Sequence, residues 1–401
     1  MSRRPVATGR SRTGPSGDSI RRVAPGRALP CAGEANSLQP GPVRLGALLC
    51  ATLMGSALVS AAGPVRGSAR SMPPALAQFL RQTVALDPGQ IIAVSGGEAV
   101  VKALAPADHR EIAVFGIVRI AVPRSFYVDR ATDFPSALTA PSRLRSGLFS
   151  DPAVESDVAA FSLPDDDVRD LTECRVGSCN VKLPIAAMRY LHAHVDPASP
   201  PADSIASAYF RARLVDYVSA YRARGDSALI AYDDQRPSAA AAQVFAGMLS
   251  RSPYMYQYAP SLERYLENYP GDRPVGARDV FYWSEDDLPG LKPTLTITHE
   301  VVYAPPELPG STLIASKLLY ADHYLDGALD LTAVVDQPAD SAGEPGGVYV
   351  LLLHRLHFDN LPSGGLINVR GKVVAKLSDR TRTALRDAKM QSEQAYLRTL
   401  H

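Results

Sequence analysis

Alternation with period two constrains this chain more than any other feature. In "PTLTITHEVVYAP" (293–305), Leu295, Ile297, His299, Val301 and Tyr303 share one face, the signature of a strand with a buried side. "STLIASKLLYADHYLDGALDLTAVVD" (311–336) reads as one long strand, or as two broken near Leu325-Asp326-Gly327. "GGVYVLLLHRLHFDNL" (346–361) predicts another. Together they form an antiparallel meander. In the closing segment "GKVVAKLSDRTRTALRDAKMQSEQAYLRTL", Val373, Leu377, Thr381, Leu385 and Ala388 recur at helical spacing, predicting a long amphipathic helix.

Upstream, "PPALAQFLRQTVAL" (73–86) predicts a helix with Leu76, Phe79, Leu80 and Val84 on one face. Strands are expected at "QIIAVSG" and "AVVKALA", and a β-rich run at "REIAVFGIVRIAVP" (110–123), ended by Pro123. "LPDDDVRDL" (163–171) looks like a helix start, with acids in its first turn. From 184 to about 268 the period is helical, with Phe210, Leu214, Tyr217, Val218 and Tyr221 on one stripe. The tyrosines at 254, 256, 258, 265 and 269 are read as helix packing with hydroxyls turned to the rim. "YWSEDD" (282–287), holding the single Trp, is expected to be a surface turn. The outline is an α+β domain over 72–400 with a helical insert at about 151–280.

Charge is balanced, with 42 basic and 41 acidic residues, which excludes a binder of nucleic acid that depends on a concentrated basic surface. The first 44 residues hold many Arg, Pro, Gly and Ser and only two acids, Asp18 and Glu34. They predict a disordered leader, or a mis-assigned start with translation beginning near Val43. The apolar run in 45–62 is short for a membrane span, which needs about 20 residues, and ends in small residues around "VSAAG". It predicts a secretory signal peptide cleaved after Ala61 or Ala62. An exported, periplasmic or secreted protein with no stable span after cleavage is expected; a retained anchor is the rival reading.

Cleavage leaves two of four cysteines, Cys174 and Cys179 in "LTECRVGSCNVKLP" (171–184). An even pair in an oxidising compartment is most simply a disulfide. C-x-x-C spacing, which a redox pair would show, is missing, and two thiolates leave a zinc site short of ligands. Arg175 and Lys182 are read as a basic rim for a partner. "VSGGEAV" (94–100) lacks the phosphate-loop Lys and the dinucleotide-binding spacing, and no G-x-S-x-G or H-E-x-x-H occurs. No cofactor and no metal are expected.

The order of a strand-rich segment, a helical segment, a meander and a long last helix resembles the helix-grip fold of the START-like (SRPBCC) lipid-binding superfamily. The resemblance rests on "AVFGIVRIAVPRSFYV" (113–128) and on 293–400, about half of the mature chain, while the insert and its cysteines depart from it. It implies a curved antiparallel sheet wrapping the last helix, with a cavity between them. "CRVGSCNVKLP", "YWSEDDLPGLKPTLTITHEVVY" and "LLYADHYLDGALDL" also resemble an exported bacterial family without assigned activity.

Four of the eight histidines, at 299, 323, 354 and 357, fall in the last sheet. A polar side chain on an apolar face must find a partner, and Asp322 and Asp326 are nearby acids. The expected function is binding of a lipid-like or other hydrophobic small molecule in a cavity under the C-terminal sheet, without catalysis. The expected ligand-binding residues are His299, Tyr303, Tyr320, His323, Tyr324 and His354. A secreted hydrolase or metal-dependent enzyme using the sheet histidines, and an envelope scaffold for a protein partner, are the alternatives.

Overall fold

Helices α1 (Pro74–Gln82) and α2 (Pro88–Ser95) open the chain in the computed structural model. The structure describes residues 72–134, 143–196, 199, 201–287, 291–338, 346–361 and 368–400. The leader 1–44 and the apolar run 45–62 lie outside the described residues, all of which belong to one unit, Val65–His401. Strands β1 (Val100–Leu104) and β2 (Glu111–Ile120) precede α3 (Arg124–Ala131) and β3 (Arg143–Leu148). Then come α4 (Asp165–Glu173), α5 (Ile185–His194) and α6 (Ala202–Arg224), the short pair β4 (Ala231–Tyr232) and β5 (Ala239–Ala240), and α7 (Ala241–Ser250). Helices α8 (Pro253–Tyr258) and α9 (Pro260–Asn268) complete the insert. The meander is β6 (Arg278–Asp286), β7 (Thr294–Tyr303), β8 (Ser311–Ala321), β9 (Leu325–Asp336) and β10 (Val348–Phe358), and α10 (Val369–Thr399) ends the chain.

Eight of these strands form one sheet in the order β1-β2-β10-β9-β8-β7-β6-β3, antiparallel at every pairing. The expected α+β class, with an antiparallel sheet and a long C-terminal helix, is what the structure has. The break in 311–336 falls at Asp322–Tyr324, just before Leu325-Asp326-Gly327, and Tyr324 there has a φ of 62°. Among the described residues no helix is long and apolar enough to cross a membrane.

Two local expectations are overturned. "QIIAVSG" is helical, as part of α2. The Asp87 carboxylate accepts from the Gln90 backbone N–H at 2.8 Å, and the Gln90 side chain accepts from the Asp87 N–H at 3.0 Å. This capping box, with Pro88 at the first helical position, outweighs the β-branched pair Ile91-Ile92. "YWSEDD" is likewise no surface turn: it is the end of β6, where Trp283 is fully buried and its indole N–H donates to the Asp157 carbonyl at 2.8 Å.

The two faces of the sheet carry different layers. On one, Val118, Ile120, Val348, Val350 and Val334 pack against Leu385 of α10. Ile112 and Val114 meet Val373, Val374 and Leu377 of the same helix. On the opposite face, β2 and β10 turn Phe115, Ile117, Tyr349 and Leu351 toward Leu76, Leu80 and Val94 of α1 and α2. The insert covers the other half of that face, where Phe161, Phe210 and Tyr221 join Phe281, Trp283, Ile297 and Val301. All ten residues of β2 are therefore buried. A strand covered on both faces shows a continuous apolar run in place of alternation.

Gly116 sets how closely α10 approaches. A Cβ at this position would stand 2.8 Å from both Leu385 Cδ1 and Thr381 Cγ2. We expect Gly116→Val to lower stability by about 1–3 kcal/mol through overpacking. Urea unfolding measures this, and an unchanged midpoint would show that α10 can shift at no cost.

Candidate functional site

The two helical layers on the insert face touch through Phe79 and Tyr258 but leave space beside that contact. Between α1 and the α8–α9 pair lies a cavity of about 230 Å³. Its floor is the apolar side of the central strands: Phe115 of β2, Leu313 of β8, Leu331, Ala333 and Val335 of β9, and Leu351 and Leu353 of β10. Its roof is Leu76 and Phe79 from α1 with Tyr254, Met255, Tyr258 and Leu262 from the insert. Phe79 closes one wall by edge-to-face contact with Tyr258, their centroids 5.5 Å apart. Leu331, Ala333, Val335 and Leu353 stay only partly covered, although they lie mid-sheet. No Lys, Arg, His, Asp or Glu is among the lining residues.

This cavity differs from the expected one in position. The helix-grip resemblance implies a cavity between the sheet and the last helix. Here the apolar space lies on the opposite face, because α10 sits directly on the β1–β2–β10 side. None of His299, Tyr303, Tyr320, His323, Tyr324 and His354 lines it.

Those six residues are instead distributed among polar networks. His299 is buried and stacked on Phe281 at 4.5 Å, with Nε2 2.9 Å from Asp279 and Nδ1 3.4 Å from the Tyr221 hydroxyl. Burial holds its pKa below the usual imidazole value despite Asp279. His354 lies on the α10 face, 3.0 Å from Asp330. Burial opposes its charge, but Asp330 outweighs this and raises its pKa. The Tyr303 hydroxyl accepts from Ser261 at 3.3 Å, and that of Tyr320 donates to the Lys182 carbonyl at 3.0 Å. The Tyr324 hydroxyl accepts from the Lys292 backbone N–H at 2.8 Å.

His323 sits beside the cysteine loop. Its Nδ1 donates to the Asn180 carbonyl at 2.9 Å and its Nε2 faces Asp167 at 3.1 Å. Burial works against the imidazolium, but Asp167 and Asp322 overcome it, and the pKa is raised. Lys292 Nζ reaches Asp167 at 2.8 Å and Asp170 at 2.6 Å. Asp322, fully buried, is pushed up to about 7 by burial. The ligand atoms of Asp167, Asp322 and His323 lie within 4.8 Å of one another, a donor set that could hold a divalent cation. Here the Lys292 ammonium supplies positive charge to Asp167 and Asp170. Cys174 and Cys179 form the expected disulfide.

Lys182 is no part of a basic rim. It is 2% exposed, and its ammonium group meets Asp326 at 2.8 Å, Asp234 at 3.3 Å and Asp359 at 3.4 Å. Burial opposes the charge, yet the three carboxylates keep its pKa raised. Among the acids, burial raises Asp234 and Asp359, whereas close contact with His357 and Lys182 lowers Asp326 against its burial. His357 bridges onward from Asp326, at 3.4 Å, to Asp108, at 3.3 Å. Sequence reading missed this cluster. Its signal was Asp326 at the head of a strand run, since strands are depleted in Asp.

On the α10 side, Glu300 points from β7 and accepts from Ser316 at 2.9 Å. Burial raises its pKa to about 7.

No protein-family model matches the chain, and no curated protein matches it. Among solved structures it is similar to a START superfamily protein from Mycobacterium smegmatis. That likeness has 19% identity, covers 38% of this chain and 90% of that one, and has a TM-score of 0.20.

Two outcomes follow from these networks. Lys182→Met leaves the buried Asp234 and Asp326 and the partly buried Asp359 without this cation and should cost about 3–5 kcal/mol in urea unfolding, with part of the loss regained when Asp326→Asn is added. No regain would show that the cluster is not held by charge. Because the folded-state pKa of Glu300 is raised from 4.5 to about 7, its stabilising proton is fully present below pH 4.5 and lost as pH rises through 7. Glu300→Gln should therefore flatten the decline in stability between pH 5 and 8, gaining about 1–3 kcal/mol at the upper end. A parallel pH profile in the two proteins would refute this.

Proposed function

We propose that this is an exported protein that holds a small apolar molecule in the cavity between the central strands and helices α1, α8 and α9. The observation that carries this reading is the lining: carbon-rich side chains from six parts of the chain surround space that no side chain fills. A well-packed interior leaves few voids larger than a water molecule. An apolar void of about 150 Å³ already stays dry and takes up benzene, so 230 Å³ is ample for a ring or a short acyl chain. Binding there would cover Leu331, Ala333, Val335 and Leu353, worth about 25 cal/mol for each Å² removed from water.

The export component is supported by the apolar run in 45–62 with its small-residue end, and by the close disulfide between Cys174 and Cys179. Recovery of an uncleaved chain from the cytoplasm would remove that component and leave the binding reading intact.

Titration with a neutral apolar dye such as Nile red should saturate at one site per chain, and solvent extraction of the purified protein should release a small apolar molecule to mass spectrometry. Ala333→Phe places a ring in the empty space and should weaken dye binding at least tenfold with little change in melting temperature. Dye binding as strong in Ala333→Phe as in the parent protein would sink the proposal.

A further inference from the structure

One lining residue breaks the apolar pattern. Ser311 begins β8 and pairs in register with Val335, so its side chain falls on the cavity face with Val335 and Leu313. It is 2% exposed. Its hydroxyl meets no hydrogen-bond partner among the described residues. The other lining side chains that can hydrogen-bond do not share this condition. The Tyr254 hydroxyl donates to Ser252 at 3.1 Å, and Tyr258 is only partly buried. Thr332 stands on the opposite face of β9, by the alternation that puts Leu331 and Ala333 on the cavity face.

Buried polar groups in folded proteins are nearly always hydrogen-bonded, and an unmatched one in an apolar site calls for an explanation. A hydroxyl can donate one hydrogen bond and accept two. A ligand oxygen would satisfy it and would fix the ligand's orientation, as one polar group does in a mostly apolar site. The lining also limits the charge of the ligand. With no Lys, Arg or His along the cavity, a carboxylate or phosphate drawn inside would be buried without a counter-charge, which is strongly unfavourable.

We infer that the cavity selects an uncharged amphiphile: an apolar body carrying one neutral oxygen, an alcohol, ketone or ester, hydrogen-bonded to the Ser311 hydroxyl. This inference rests on the reading of the cavity as a binding site.

The test compares 1-hexanol, hexane and hexanoate as competitors of Nile red, in the parent protein and in Ser311→Ala. The parent should bind hexanol more tightly than hexane, and hexanoate the least. Ser311→Ala should weaken hexanol by roughly three- to tenfold, the worth of one hydrogen bond, and leave hexane unchanged. Without ligand, Ser311→Ala should melt at or above the parent's temperature, since the hydroxyl has no protein partner to lose. A lower melting temperature would mark the hydroxyl as a structural group and overturn the inference. So would equal hexanol binding in the two proteins, or hexanoate binding as tightly as hexanol; in both cases the cavity reading survives. If dye and all three competitors fail to bind the parent, the cavity reading itself fails.

Discussion

Lys182 carries a positive charge inside the protein and meets carboxylates from three separate segments: Asp234 after β4, Asp326 in β9 and Asp359 after β10. An isolated ammonium in such a place would lose several kcal/mol of hydration. The position is tenable only because all three segments converge on it. Its backbone is held as well, with its N–H donating to the Asp322 carbonyl at 2.7 Å and its carbonyl accepting from Tyr320 at 3.0 Å. Thus the loop that follows the disulfide is fixed to the ends of β8, β9 and β10, and with it α5 and the rest of the insert. The position of the insert on the sheet in turn sets the cavity, since α8 and α9 form half of its roof.

The helix-grip expectation and the structure agree on the strands and on the last helix and part over where space is left. A helix gripped at a distance leaves room beneath it. Gly116 removes that room by letting Leu385 and Thr381 come down onto β2. The opposite face is covered by two independent helical layers, one from the N-terminal end and one from the insert. Two layers with no covalent reason to abut leave a seam, and the seam is where the apolar space lies.

The sheet and α10 were legible because their periodicity is local: each strand of the meander declares its own face, and Val373, Leu377, Thr381 and Leu385 mark one stripe. β3 was not, because "RLRSGL" has no clean alternation and is held by pairing with β6. α2 was misread because the capping box around Asp87 and Gln90 outweighs the strand-like Ile91-Ile92. The site was the least legible part. The lining comes from α1, β2, the insert and three strands of the meander, and nothing local distinguishes Phe79 or Leu331 as lining from the same residues in a filled core. The histidines drew notice because polar residues on apolar faces stand out, yet each ends against an acid that sequence distance concealed: Asp279, Asp167, Asp330 and, for His357, Asp326 and Asp108.

The sheet is open, so β1 and β3 each present one unpaired side among the described residues. Exposed strand edges are templates for pairing between copies of a chain. Here the edges are the shortest members, 5 and 6 residues against 9 to 12 for the strands between them. Each also carries charge. β1 has Lys102, whose ammonium donates to the Ala85 carbonyl at 2.5 Å. β3 has Arg143 and Arg145, with a shift in pairing register between them. Arg145 is tied back by Glu285 and Ser162. A second copy approaching either edge would find few groups in line and a cation in the way. The same geometry that leaves the sheet unclosed therefore guards it against edge-to-edge aggregation.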